Sequence, residues 1–383
     1  MAEWESLHAE AAEHEARLIA FAVAFEANIP IIIWGPPGEG KTKGLNAFAE
    51  QRKITHKVVV ISQHDPSDLG GIPRERGEGY TRIPPSWVLT TNADDNSLLV
   101  FDELNTAQPA QRTPILAVIQ ERVCGDTPLN PTTRIVAICN PPEMAEDGWE
   151  LGAPLSNRFL HLQHWDLPTS MFIAGLTTGH WPAIPVLRFE QLERHRAEAA
   201  AAVGSFLYRM PALHREMPDD PADRQYPYST SRSWTNLAEL LGYAWAARTA
   251  EQDIGPAVIG LLVEGTIGVR GAPAFIEHLE TLQFPDPEQV LTNPTGWELP
   301  ERPDLVWAVL SRIIRYVLDQ PADEQKRLLF LAGDAIAYAS ESFGDVGVTV
   351  ATEWWQHAKK YGPGIISPAL ARGRLSAVMK LVS

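Results

Sequence analysis

Few eight-residue stretches restrict a fold as tightly as Gly35-Pro36-Pro37-Gly38-Glu39-Gly40-Lys41-Thr42, which fits the pattern G-x-x-x-x-G-K-[ST]. It lies between an apolar run, Ile31-Ile32-Ile33-Trp34, and a helical stripe through Leu45, Phe48 and Ala49. The run reads as a strand buried on both faces, the helix follows at once, and the glycines let backbone N–H groups curl round phosphates at the helix N-terminus. In such a loop, residues 35–42 cradle a nucleotide, Lys41 reaches the β- and γ-phosphates, and the Thr42 hydroxyl ligates Mg²⁺. The bland alternative is a Gly/Pro turn with a chance lysine, and the strand and helix on either side argue against it.

A phosphate-binding loop needs a carboxylate partner, and Leu98-Leu99-Val100-Phe101-Asp102-Glu103 supplies two at the end of a second buried strand. Asp102 is placed to hold Mg²⁺ through its water shell, which is how this cation prefers to be bound. Glu103, one residue on, is placed to orient and polarise an attacking water. Asn140 ends a further strand, Arg134 to Cys139. It could hold the lytic water or the γ-phosphate. Read alone, an Asn before Pro141-Pro142 is more simply the start of a turn.

Strands expected at 31–34, 58–61, 98–101, 134–139 and 159–162 alternate with helices, the signature of a parallel sheet covered on both faces. A helix over 3–27 carries Trp4, Leu7, Ala11, Leu18, Phe21 and Phe25 on one stripe. Between residues 66 and 85 the chain is rich in Gly, Pro and charge, and Gly77-Glu78-Gly79-Tyr80 reads as a hairpin tip. From about residue 168 the pattern becomes helical: 189–209, 233–247, 254–267, 273–283, 304–319 and 322–340. The expected division is an α/β domain over 1–187, a helical lid over 188–300, and a helical C-terminal segment over 301–383.

The 48 acidic against 32 basic residues give a net charge of −16, a field that repels phosphate backbones; with no Lys/Arg block, nucleic acid is a poor partner. Cys124 and Cys139 make neither a disulfide framework nor a metal-ligand spacing, as expected of a reducing, cytoplasmic setting. The acidic start, MAEWESLHAE, has no basic n-region, and no apolar run of about 18 residues is present, so neither a secretory signal nor a membrane span is expected. Three local readings stay structural: His161 and His164 flank the fifth strand without zinc-ligand neighbours, Trp354-Trp355 pack helices, and Glu190–Glu198 is a solvated face.

Further motifs align with these. Pro66-Ser67-Asp68-Leu69-Gly70-Gly71 follows the second strand, and Phe101-Asp102-Glu103-Leu104-Asn105 leads to Ala110-Gln111 and Leu116 through Arg122. Asn140-Pro141-Pro142, Asn157-Arg158-Phe159 and Ser231-Arg232-Ser233-Trp234 come after them. Over about residues 15–245 the chain thus resembles the MoxR-type AAA+ ATPases. The resemblance implies an AAA+ sheet in the order 5-1-4-3-2 followed by a helical lid, with ATP and Mg²⁺ as ligands. It makes Asn140 the sensor-one residue and Arg158 an arginine finger that completes a neighbouring subunit's site. Arg232 becomes a sensor-two arginine that contacts the γ-phosphate of its own chain, and residues 66–85 a helix-two insert facing a ring's channel. Without the resemblance, Arg158 reads as a surface cation and Arg232 as a cap or a partner of Asp219 or Asp223; Arg112, Arg122 and Arg134 stay as rival fingers. Two departures from the family, Asn157 where Asp is frequent and Thr106 where a basic residue is common, touch subunit contacts rather than phosphates.

By that resemblance the function is ATP hydrolysis driving chaperone-like remodelling or maturation of a protein client by a homo-hexameric ring, with a von Willebrand A domain protein as a possible partner. Two other classes compete: a nucleic-acid-directed motor, which the charge disfavours, and a nucleotide-dependent assembly switch with slow turnover.

Overall fold

The computed structural model describes residues 2–144, 151–282, 284–371 and 375, and the side chains of 2–8, Trp4 and Leu7 among them, fall outside the description. Five strands form one parallel sheet: β1 (Ile31–Trp34), β2 (Thr55–Val60), β3 (Ser97–Asp102), β4 (Arg134–Cys139) and β5 (Leu160–Leu162). Across the sheet the order is β2-β3-β4-β1-β5, which from the opposite edge reads 5-1-4-3-2. Two short antiparallel hairpins stand apart from this sheet: Ile72–Arg76 with Gly79–Ile83, and Val123–Cys124 with Thr127–Pro128.

The run of β-branched residues in β1 is buried throughout because neighbours pair on both sides, with Ile32 opposite Ala137 and His161. Alternate side chains feed opposite faces. Ile32, Trp34, Leu99, Phe101, Ala137 and Cys139 share a core with Ile115, Val118 and Ile119 of the helix Pro109–Glu121. On the helices α1 (Ala2–Glu26) and α2 (Lys41–Arg52), Phe48 meets Phe21 and Phe25 edge-on, at ring centroid distances of 5.7 and 4.9 Å.

The chain divides into two compact units: residues 1–190 with 215–273, and residues 191–214 with 274–383. The expected lid, 188–300, is therefore shared between them. Helix Ser231–Thr249 belongs with the sheet, whereas Leu192–Arg209 belongs with the C-terminal helices Pro303–Leu318, Ala322–Ser342 and Gly344–Ala358. The reason is a buried ion pair: Arg312 meets Glu198 at 2.5 Å, so one end of the supposed solvated face 190–198 turns inward. Around it Val306, Leu310, Ile313, Leu329, Ile336 and Trp354 build a core of their own, and Trp354 packs there as expected.

The same unit buries His278, whose Nδ1 accepts from Arg302 at 3.2 Å and whose Nε2 lies 2.8 Å from Ser205 Oγ. Because Nδ1 accepts, Nε2 carries the proton and donates to Ser205, which itself donates to the Ala202 carbonyl. The serine therefore has no base beside it, and the Ser–His contact is structural. Residues Pro256–Glu280 form the one described helix long and apolar enough to cross a membrane, with 56% of its most apolar window buried. Gly268, at φ 80° and ψ 166°, divides it into halves that are each too short to span.

Candidate phosphate-binding cleft

Residues 35–42 connect β1 to α2, as the sequence pattern requires. Gly35 is dictated by contact, since a Cβ there would fall 2.5 Å from the Trp165 carbonyl oxygen. Gly40 is dictated by conformation: at φ 73° it is the left-handed residue that starts α2. A second tie holds the loop from the same side, where the Leu167 N–H donates to Glu39 Oε2 at 3.1 Å. Pro37, Gly38, Glu39, Gly40, Lys41 and Thr42 line a cleft of about 370 Å³ together with Asp102, Glu103 and Asn140.

The lysine is buried, and its Nζ donates to the carbonyls of Gly35 at 2.7 Å and Pro36 at 2.6 Å, and to Asn140 Oδ1 at 3.2 Å. Burial pushes its pKa down, and the Asp102 carboxylate works against that shift. Thr42 Oγ1 donates to Asp102 Oδ2 at 2.8 Å, joining the loop to the end of β3. Glu103 follows in the left-handed region at φ 57°, a cost that a non-glycine residue bears only where its surroundings fix it. Its N–H donates to Asp102 Oδ1 at 3.0 Å, and its carboxylate accepts from Ser62 Oγ at 2.5 Å. Asn140 is steadied from behind, its carbonyl accepting from Asn105 Nδ2 at 2.8 Å. Beneath the cleft the Cys139 thiol is raised well above its usual pKa by burial, so it packs as a small apolar group.

With Arg158 and Arg232 set aside, eleven residues were expected from the sequence for nucleotide, metal and lytic water; nine of them line the cleft, and Gly35 and Pro36 join it through the carbonyls that accept from Lys41. Lys43 also lines the cleft, and Ser62 and Asn105 join it through their bonds to Glu103 and Asn140. Asn105 had been quoted only as part of the run after β3, and Ser62 in no motif; the sheet order, which sets β2 beside β3 and β3 beside β4, brings them to Glu103 and Asn140.

The two arginines are elsewhere. Arg158 follows the short helix Ala153–Ser156, Arg232 lies in the first turn of Ser231–Thr249, and neither lines the cleft. They are close to one another: Asn157 Nδ2 donates to Thr230 Oγ1 at 2.7 Å, and Ser156 Oγ donates to the Tyr226 carbonyl at 3.1 Å. Burial first, and then the Arg232 charge, lower the pKa of Arg158, which donates to Gln120 Oε1 and leaves its buried Nε without a partner. Arg232 is exposed, and the alternative pairing with Asp219 or Asp223 is not found among the described contacts; Arg224 donates to the carbonyls of Pro218 and Asp219. The rival fingers are occupied: Arg122 donates to the Thr133 carbonyl at 2.5 Å, Arg134 to the Phe25 carbonyl at 2.7 Å, and Arg112 to the Ala107 carbonyl at 3.1 Å.

The loop's N–H groups and Lys41 are suited to a polyphosphate, and Thr42 with Asp102 to a hard cation that keeps most of its waters. No group of three or more metal-ligating side chains exists among the described residues. No family model and no curated protein matches the chain. A solved structure of a "putative ATPase" from Cytophaga hutchinsonii is similar over 74% of this chain and 97% of its own, at 14% identity and a TM-score of 0.44. The functional reading therefore rests on the cleft itself.

Proposed function

We propose that this protein is a Mg²⁺-dependent ATPase of the AAA+ class, similar to the MoxR proteins, that works as a ring on a protein client. The observation that carries the ATPase part is the convergence of Lys41, Thr42, Asp102, Glu103 and Asn140 on one cleft. In this reading the 35–42 backbone binds the phosphates, and Lys41 exchanges its contacts with the loop carbonyls for phosphate oxygens. Thr42 and Asp102 hold the cation, which offsets charge on the transferring phosphoryl group. Glu103 orients the attacking water and accepts its proton density, while the Asn140 amide fixes the water or the γ-phosphate. Adenine over guanine is part of the proposal and follows from the family resemblance rather than from the cleft.

The arginines refine the proposal. Arg232 adjoins Arg158 rather than the cleft. The same-chain role implied by the resemblance is better replaced by one in which both guanidinium groups serve a neighbouring subunit's γ-phosphate. Permanently charged, two-pronged donors suit that task. A hexamer, a client and a von Willebrand A domain partner belong to the same proposal and are supported by resemblance alone.

The direct test compares ATP binding with turnover. Glu103→Gln should bind ATP as tightly as the parent and retain it unhydrolysed, because the phosphate contacts are intact while the charged water-orienting group is gone. Parent-level turnover by that variant would remove Glu103 from the mechanism.

A further inference from the structure

A second cavity, of about 580 Å³, lies in the sheet-containing unit and shares no lining residue with the phosphate cleft. Its walls come from Arg17 of α1, the end of β5 and the residues after it, the segment 216–229, and the helix Pro256–Glu280 where Gly268 divides it. The volume is that of a site for a small organic group. Tight packing bounds it: a Cβ on Gly265 would fall 2.3 Å from the His161 carbonyl oxygen, and one on Gly268 would fall 2.2 Å from the Pro227 carbonyl oxygen. His164, also in the lining, holds φ at 54°, backbone strain of a kind that clusters at ligand sites.

The chemistry of the walls says what fits. Three carboxylates, Glu216, Asp223 and Glu264, line the cavity against two guanidinium groups, Arg17 and Arg270. Both cations are partly engaged: Arg17 Nη2 meets Glu13 Oε2 at 3.2 Å, and Arg270 reaches Glu216 Oε1 at the long distance of 3.8 Å. Glu216 Oε2 is buried with no partner among the described residues. A buried carboxylate oxygen left in that state costs free energy that a donated hydrogen bond recovers. Arg17 Nε is likewise buried without a partner, and it has a proton to donate. A ligand that satisfies both atoms brings a cationic donor for Glu216 and a carbonyl acceptor for Arg17. His161 adds no charge near neutral pH, since burial lowers its pKa to about 4. The rings of Tyr226 and Tyr228, with Leu261 and Ile267, offer an apolar wall for a stem, and aromatic rings also attract cations.

We propose that this cavity binds a basic residue of a peptide, its guanidinium or ammonium taken by the carboxylates and its backbone carbonyl by Arg17. Such a residue carries a charge on an apolar stem beside an amide, which is the combination the walls call for. The net charge of −16 draws a cation in and repels an anion. A nucleobase would leave the carboxylates without the positive charge they lack. The inference gives the protein client of the reading above a chemistry, and rests on that reading for the client alone. Binding is measured without turnover, so its failure leaves the ATPase reading standing.

The experiment is calorimetry on the full chain in low salt with three probes: acetyl-arginine methylamide, its uncharged citrulline counterpart, and agmatine, which has the guanidinium but no carbonyl. The arginine probe should bind about tenfold or more tightly than the citrulline probe, the worth of a hydrogen bond to a charged group. Glu216→Gln should weaken the arginine probe by about tenfold or more, and Glu264→Gln, at an exposed position, should weaken it in the same direction. Glu50→Gln, exposed elsewhere, should bind like the parent. Glu264→Gln carries the test if Glu216→Gln does not fold. Agmatine should bind more weakly than the arginine probe; equal binding would give the cavity to a free cation and overturn the peptide. No heat from the arginine probe at millimolar concentration, equal binding of the citrulline probe, or parent-like binding by both Glu216→Gln and Glu264→Gln overturns the site. Displacement of the arginine probe by adenosine would give the cavity to a nucleobase instead.

Discussion

Lys41 makes three contacts at once, to two loop carbonyls and to Asn140, and each is a place where a phosphate oxygen would compete. Lys41→Ala should therefore weaken ATP binding by about 10- to 100-fold, the worth of a hydrogen bond to a charged group at ~1.5–3 kcal/mol. Titration calorimetry separates this from Glu103→Gln, whose affinity stays put. Gly35 gives a second residue-scale prediction, which the motif alone does not make. Its missing Cβ is needed by the Trp165 carbonyl rather than by the phosphates. Gly35→Ala should then lower stability by roughly 1–3 kcal/mol through overpacking, as well as impair nucleotide binding. A Gly35→Ala protein with parent stability in urea would show that the strap after β5 yields freely.

At the scale of elements, the hairpin Ile72–Ile83 was expected from its Gly-rich tip, and its strands stand exposed, with Tyr80 at 76%. What anchors it was not expected. Asp126, in the second small hairpin, accepts from the Arg82 N–H at 2.7 Å and from Thr81 Oγ1 at 3.1 Å, and these two bonds pull its own pKa down. Asp126→Ala should leave Lys41 and Glu103 untouched yet speed amide hydrogen exchange across 79–83, which mass spectrometry would resolve by peptide. Unchanged exchange would mean the hairpin is held by its own ladder. Tyr80→Ala should spare basal turnover, because Tyr80 is not among the residues that line the cleft; a loss of basal ATPase would speak against the channel-facing insert that the resemblance implies.

At the scale of the whole molecule, two buried histidines make stability depend on pH. Burial lowers both His161, in the sheet-containing unit, and His278, in the other, to a pKa of about 4 from 6.5. Above pH 6.5 neither the folded nor the unfolded state protonates them, and their contribution is complete. Between about pH 6.5 and 4 the unfolded chain takes up protons that the folded chain refuses, so stability falls by about 1.4 kcal/mol per pH unit for each histidine. Urea midpoints followed from neutral to acid pH should drop in both units, and a flat profile down to about pH 5 would contradict the burial of these rings. Assembly gives the other prediction at this scale. Arg158→Ala subunits keep a complete cleft, and Glu103→Gln subunits keep both arginines. Mixed, they should recover part of the ATPase that neither shows alone, since an arginine finger is worth about 10³-fold or more. No recovery in demonstrated mixed assemblies would count against Arg158 acting on a neighbouring subunit.

Local chemistry was enough for the loop, the strand-end carboxylates and the sheet class. Gly35 to Thr42 and Asp102-Glu103 are contiguous, and the β-branched runs before them bury on both faces wherever they fold. Helices with a strong apolar stripe, such as 303–318 and 322–342, were legible for the same reason. Gly344–Ala358 was not, because glycine and β-branched residues dilute its stripe, and Trp354 becomes a core residue only when the helix Ala322–Ser342 packs beside it. Long-range pairing decided the rest. Residues 192–209 join the C-terminal helices because Arg312 and Glu198 meet in the interior, a contact spanning 114 positions. Ser62 reaches Glu103, and Arg232 comes to lie beside Arg158 rather than the cleft, for a like reason. Sequence carries what neighbours along the chain settle through torsion, periodicity and glycine. The partners of a buried charge or an exposed guanidinium are settled by which distant elements share a core.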